Sequence, residues 1–102
     1  GFVSLNGFEH GGLLTTIPIL FEGTNLEINA DASKGWIAVE FLENGNPVAG
    51  FTKDDCDVMD KDSVSHILSW KGNRDFAGLN GRTIQLRFYL KAADLYSFRF
   101  KQ

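Results

Sequence analysis

Hydrophobic and polar residues alternate one for one along most of this chain. In NLEINAD, Leu26, Ile28 and Ala30 alternate with Asn25, Glu27 and Asn29, and in WIAVEF, Ile37, Val39 and Phe41 oppose Trp36, Ala38 and Glu40. TIQLRFYLK is the cleanest run, with Ile84, Leu86, Phe88 and Leu90 on one side and Thr83, Gln85, Arg87 and Tyr89 on the other. DLYSFRFK sets Tyr96, Phe98 and Phe100 against Leu95, Ser97 and Arg99. Successive side chains of a strand point to opposite faces, so a period of two predicts strands with one buried and one wet face. No segment sustains the 3.6-residue period of an amphipathic helix.

Turn chemistry separates the runs: Asn6-Gly7, Gly11-Gly12, EGTN, ENGNP, KGN and NGR. FLENGNPVAGF reads as a hairpin, because Asn44-Gly45 tolerates the positive φ of a tight turn and Pro47 opens the return strand. About eight strands follow, near residues 2–5, 13–16 and 18–21 (or a single strand over 13–21 bent at Pro18), 25–31, 36–42, 47–50, 63–70, 83–91 and 94–100, with a short helical turn or loop over 75–81. Many short antiparallel strands without long helices predict an all-β fold, a two-sheet antiparallel β-sandwich with jelly-roll-like connections. An immunoglobulin-like sandwich is the alternative, although the Cys…Trp…Cys framework is missing. The aromatic last strand is expected to be central.

A length of 102 residues predicts one domain spanning 1–102. The chain opens on a strand-like segment without Met, and it reads as a piece of a longer protein. The nine Phe supply core without adding hydrogen-bonding groups. A net charge of −3 with scattered Lys and Arg argues against nucleic acid as a partner. No apolar stretch nears the length of a membrane span. Cys56 is the only cysteine, so neither an internal disulfide nor a multi-thiol zinc site is open to the chain. His10 and His66 lack ligand spacing. His66 aligns with Val64 and Leu68, which predicts a hydrogen-bonded histidine on the inner face.

The segment FTKDDCDVMDKDS crowds five aspartates around Cys56. Catalytic carboxylates must converge across a bond, whereas neighbouring side chains on an extended segment diverge. Calcium takes six to eight oxygens, and Asp54, Asp55 and Asp57 are the candidate ligands. The EF-hand order is not matched, and Lys53 and Lys61 dilute the negative field. The third reading is a surface loop held by turn hydrogen bonds, with Cys56 and Met59 as apolar anchors.

Gly50-Phe51, DDC at 54–56, Asp62-Ser63, Trp70-Lys71-Gly72, Leu79-Asn80-Gly81, LRFYL at 86–90 and ADLYSFRF at 93–100 stand in a characteristic order. With GFVSL and TTIPILFEG they resemble a small β-sandwich domain found near the C-terminus of larger secreted bacterial proteins. Many of those proteins are similar to five-bladed-propeller glycosidases of the invertase and levanase type. The resemblance implies a non-catalytic accessory role, because that family's catalytic acids belong to the propeller. It also implies an extracellular or periplasmic location. The Asp-Cys pair itself suits a loop clamp better than chemistry, with the carboxylate accepting backbone N–H groups and the thiol buried. Lys61 stands where a small residue is expected before Asp62-Ser63, which predicts a differently shaped loop.

Two partners are compatible with this reading: a polysaccharide, or a neighbouring catalytic domain of the same chain. Sugars are held by aromatic rings flanked by amides, carboxylates and guanidinium groups. The candidate ligand-binding residues are Trp36, Gln85, Arg87 and Tyr89, if their strands share one sheet face. Alternatively, Arg87 and Tyr89 form a cross-strand cation–π pair or a docking contact. Trp70, before a glycine turn, is expected to cap the core. A grooved face with aligned rings would favour binding, and a flat face or buried rings would favour docking.

Overall fold

The computed structural model describes residues 3–4 and 11–102. The Asn6-Gly7 turn and His10 lie outside the described residues. The strands are β1 (Val3–Ser4), β2 (Gly11–Thr15), β3 (Ile19–Leu20), β4 (Asn25–Asp31), β5 (Trp36–Glu43), β6 (Asn46–Pro47), β7 (Asp62–Ile67), β8 (Thr83–Lys91) and β9 (Asp94–Lys101). A 3₁₀ turn spans Ala77–Leu79, inside the segment read as a short helical turn or loop. The β5–β6 hairpin turns at Asn44 (φ 53°) and Gly45 (φ 81°), both left-handed as the Asn-Gly pair predicts.

Two antiparallel sheets face each other, one ordered β1-β9-β4-β7 and the other β2-β8-β5-β6, with β3 also pairing with β8. The pairings are nested. The outermost strands pair (β1 with β9), then β2 with β8, β4 with β7, and finally β5 with β6 across the hairpin. This is the jelly-roll arrangement, an antiparallel ribbon folded over onto two sheets. β2 and β3 flank the same strand on either side of Pro18, so 13–21 acts as one bent strand. The last strand is central in its sheet, between β1 and β4.

The inner faces match the alternation. Leu26, Ile28 and Ala30 of β4, Ile37, Val39 and Phe41 of β5, and Ile84, Leu86 and Phe88 of β8 are all completely buried. Burying such side chains stabilises a fold by roughly 1.5–3 kcal/mol each for the large ones. At one end of the core the rings interlock. Phe21 meets Phe41 edge-on at 4.9 Å, Phe76 at 5.2 Å and Phe100 at 4.8 Å, and Phe41 leans on Trp70 at 4.8 Å. Gly35 leads into β5 so close to β8 that a Cβ there would lie 1.7 Å from the Lys91 carbonyl oxygen.

The alternation fails at two bulges, both opposite the same stretch of β4. On β9, Ser97 pairs with Asn29 and Leu95 with Ala30, which leaves Tyr96 as the extra residue. Leu95 is therefore buried and Tyr96 is 46% exposed, not on the face of Phe98 and Phe100. On β7, His66 pairs with Ile28 and Ser63 with Ala30, so the intervening residues bulge and Val64 turns out to solvent. His66 is half-buried in line with buried Leu68, but Val64 is not its companion on the inner face. Burial, and then the charges of Lys61 and Arg74, hold the His66 pKa below its ordinary value.

The segment after β6 replaces a strand along the free edge of β5. Phe41 N–H donates to the Phe51 carbonyl (3.0 Å), Ile37 and Met59 exchange both backbone bonds (2.8 and 2.9 Å), and Val39 N–H donates to Cys56 Sγ (3.4 Å). The Val39 carbonyl accepts from Trp70 Nε1 at 2.9 Å. Trp70 caps the core as predicted, at 1% exposure, and its donor also satisfies a buried peptide. Trp70→Phe would strand that carbonyl and shrink the ring. A buried polar group left unpaired costs about 1–3 kcal/mol, so urea denaturation is expected to show a loss of about 2–4 kcal/mol with the lost packing included. Val64→Ala, at an exposed position, is expected to stay within about 0.5 kcal/mol of wild type.

Candidate functional site

The register of β5 on β8 sets Trp36 opposite Lys91, Ala38 opposite Tyr89, Glu40 opposite Arg87 and Leu42 opposite Gln85. β2 adds Leu13 beside Tyr89 and Thr15 beside Arg87. Directly opposed residues point the same way, so Trp36, Gln85, Arg87 and Tyr89 share the outer face of the β2-β8-β5-β6 sheet, as their alternation requires. That face is not simply wet. Ala38 is buried and Glu40 is only 7% exposed, while Trp36, Gln85, Arg87 and Tyr89 are all half-buried.

Glu40 organises the face. Its Oε1 accepts from Tyr89 Oη at 2.7 Å, with Arg87 Nη1 3.8 Å away, and its Oε2 accepts the Lys53 backbone N–H at 3.3 Å. Arg87 Nε donates to Thr15 Oγ1 (3.1 Å), and Gln85 Nε2 donates to the Thr16 carbonyl (3.1 Å). Buried polar groups need such partners, and these bonds join three strands and the Lys53 loop into one network. Burial, and then the bond to the Glu40 carboxylate, raise the Tyr89 pKa.

Lys53 is the residue that sequence reasoning undervalued. Its ammonium lies 5.6 Å from the Trp36 ring centre and 5.2 Å from that of Tyr89. The cation over Tyr89 is thus Lys53 rather than Arg87, an attraction worth roughly 0.5–1 kcal/mol at a half-exposed site. In the sequence Lys53 stands among aspartates, and only the path of the loop carries it across the sheet.

The acidic segment forms a clasp. Asp57 Oδ2 accepts from Ser69 Oγ (2.7 Å) and from the Gly72 N–H (2.8 Å), while Asp57 N–H donates to the Ser69 carbonyl (2.9 Å). Asp55 accepts from Thr52 Oγ1 (2.9 Å) and pairs with Lys71 Nζ at 3.2 Å. These donors hold both carboxyls below their ordinary pKa, the Ser69 bond foremost for Asp57 and the Thr52 bond foremost for Asp55. Asp54 is exposed. Among the described residues, no group of three or more His, Cys, Asp or Glu side chains converges on a point that could hold a metal ion. The left-handed backbone falls at Lys71 (φ 51°), and Lys61 is not among the described residues with positive φ.

Among the described residues, two surface clefts lie away from this face. One, of about 320 Å³, is bordered by Asp31, Ser33, Lys34, Ala92 and Asp94. The other, of about 570 Å³, sits under the β5–β6 hairpin.

Two experiments follow from these environments. Burial pushes the Cys56 thiol up to about 11, with the Val39 N–H pulling it back and the Asp57 charge adding to the rise. A thiol raised in the folded state loses stability as pH rises, so the contribution is intact below the ordinary value of 9.0 and fades toward 11. Native Cys56 is expected to resist a disulfide reagent at pH 8 and to react once urea unfolds the chain. Stability is expected to fall by about 2 kcal/mol across that alkaline window, with a flatter profile in Cys56→Ala. In the second experiment, Glu40→Gln removes the acceptor charge beside Tyr89, and the phenol is expected to titrate at lower pH by absorbance at 295 nm.

In comparisons with known proteins, no family model, no curated protein and no solved structure matches this chain.

Proposed function

We propose that this chain is a non-catalytic accessory β-sandwich module, and that the outer face of the β2-β8-β5-β6 sheet docks on a neighbouring domain of the same protein. One observation carries the choice of docking over ligand capture. The half-buried polar groups that a sugar would need already have partners, Tyr89 in Glu40, Arg87 in Thr15 and Gln85 in the Thr16 carbonyl, and an ammonium stands over both rings. Such a face is rigid and satisfied before it meets a partner. It offers area, half-buried rings and the 57% exposed Leu13, the mixture found between domains of one chain.

The resemblance to accessory domains of secreted glycosidase-like proteins supports the same reading, and with it an extracellular or periplasmic location. Among the described residues no helix is long and apolar enough to cross a membrane. Catalysis by this segment finds no support in the acidic loop, where Asp55 and Asp57 are spent on holding Lys71, Ser69 and Gly72.

Polysaccharide binding on this face is the second reading. It draws on the two rings, Trp36 and Tyr89, which the register brings to one surface. Calcium at Asp54, Asp55 and Asp57 would require the clasp to open.

Trp36 separates the two readings. Trp70 is buried at 1% exposure and Trp36 is half-exposed, so acrylamide quenching of tryptophan fluorescence reports on Trp36. The quenching constant is expected to fall severalfold when the module is linked to the neighbouring domain of its parent protein, and to ignore a panel of polysaccharides. Equal quenching with and without the neighbour would overturn docking. Protection by a polysaccharide that is lost in Tyr89→Ala, with an unchanged melting temperature, would establish the second reading instead.

A further inference from the structure

The cavity of about 570 Å³ lies at one end of the sandwich, between the β5–β6 hairpin, Phe51 and the 3₁₀ turn. None of the residues of the docking face lines it. Its floor is apolar and held by the core. Phe51 stacks on Phe41 at 5.1 Å with the planes 17° apart and meets Trp70 edge-on at 5.4 Å, and Leu79 is buried. Its rim is polar. Asn44 and Asn46 flank the hairpin turn, with Asn46 Nδ2 donating to the Asn44 carbonyl at 3.4 Å. Glu43 and Arg82 close the rim as a two-bonded pair, including Arg82 Nε to Glu43 Oε2 at 2.9 Å.

The backbone holds these walls in place. Asn44 and Gly45 lock the turn, Val48 N–H donates to the Phe41 carbonyl (2.9 Å), and Phe51 N–H donates to the Val48 carbonyl (3.0 Å). On the opposite wall, Leu79 N–H donates to the Phe76 carbonyl (2.8 Å) and Arg82 N–H to the Leu79 carbonyl (3.1 Å). An open cleft with apolar side chains at its floor and a few polar groups at its rim can seat one face of a small molecule.

The geometry points to a binding site here for a neutral, hydroxyl-rich small molecule of about the size of a mono- or disaccharide. Charge selects the class. The Glu43 carboxylate and the Arg82 guanidinium neutralise each other at the rim, so neither an anion nor a cation gains a net charge partner there without breaking the pair. A neutral polyol does better. Its C–H face covers Phe51, and its hydroxyls donate to Glu43 and accept from Arg82 and the two amides; Asn44, Asn46 and Arg82 are exposed and keep hydrogen-bonding capacity beyond their mutual bonds, unlike the buried Glu40 on the outer face. Amides and paired charges both donate and accept, which matches hydroxyl groups that do the same. The site is separate from the docking face, and either can fail alone.

The test is an amide-resolved NMR titration of the whole chain with glucose, galactose, mannose and fructose, followed by glucosamine and glucose 6-phosphate as charged probes. At least one neutral sugar is expected to give saturable shifts confined to residues 43–51 and 79–82, with a dissociation constant in the millimolar range. Asn46→Ala and Arg82→Gln, both at exposed positions, are expected to weaken binding at least tenfold while resonances elsewhere stay in place. Phe51→Ala is a poorer probe because that ring also packs on the core. No saturable shift with any of the four sugars overturns the site. So does tighter binding of either charged probe, indifference to Asn46→Ala and Arg82→Gln, or shifts centred on Trp36 and Tyr89, which would move recognition to the outer sheet face.

Discussion

The fold depends on closing the free edge of β5, and most directly on the peptide group of Val39. β5 is paired along one side by β8, but for most of its length no regular strand among the described residues lies on the other side. An unpaired buried peptide is expensive, and an open apolar edge invites another chain. Here the N–H of Val39 goes to a thiol and its C=O to an indole, while Ile37 and Phe41 find backbone partners in the same loop. Two side chains from distant parts of the sequence therefore do the work of a strand. Their backbones are held side by side too, since Cys56 and Trp70 form an isolated antiparallel bridge.

That seal explains the acidic segment. A loop that must present Sγ, two carbonyls and an N–H at fixed points along β5 cannot wander, and the aspartates hold it. Asp57 ties it to the Ser69–Gly72 turn that carries Trp70, and Asp55 ties it to Lys71. These pairs are solvent-facing, so their role is to orient the loop rather than to supply much energy. The clustering of acids reflects how many turn bonds one short connection has to make. The same loop delivers Lys53 to the outer face, so the clasp and the Glu40 network are mechanically one unit.

The function proposed for the outer face follows from this coupling. A surface whose rings and polar groups are fixed by core-anchored strands on one side and a clasped loop on the other is preorganised, and binding to it need not order side chains first. The hairpin cavity is preorganised for a different reason, because its floor is the solvent-side rim of the aromatic cluster. The proposed docking face and the proposed polyol site thus lie at separate places on the same frame.

Local rules in the chain were enough for the sandwich. Strict alternation over β4, β5 and β8 names the inner face residue by residue, Asn44-Gly45 names the hairpin, and the shared parity of Trp36, Gln85, Arg87 and Tyr89 puts them on one outer surface. The anchoring roles of Cys56, Met59 and Trp70 were readable as well, since each is a large or soft apolar group in an otherwise polar stretch. What alternation could not reveal was where it breaks. Tyr96 and Val64 turn outward because bulges on both neighbours of β4 shift the register by one residue, and a bulge is set by how three strands twist together rather than by any one of them. The hidden carboxylate of Glu40, the ammonium over Trp36 and Tyr89, and the pocket beneath the hairpin likewise join residues from different parts of the chain. Periodicity is a property of neighbours in sequence, whereas burial and pairing at these points depend on which remote segment arrives, and that was decided only when the two sheets closed on each other.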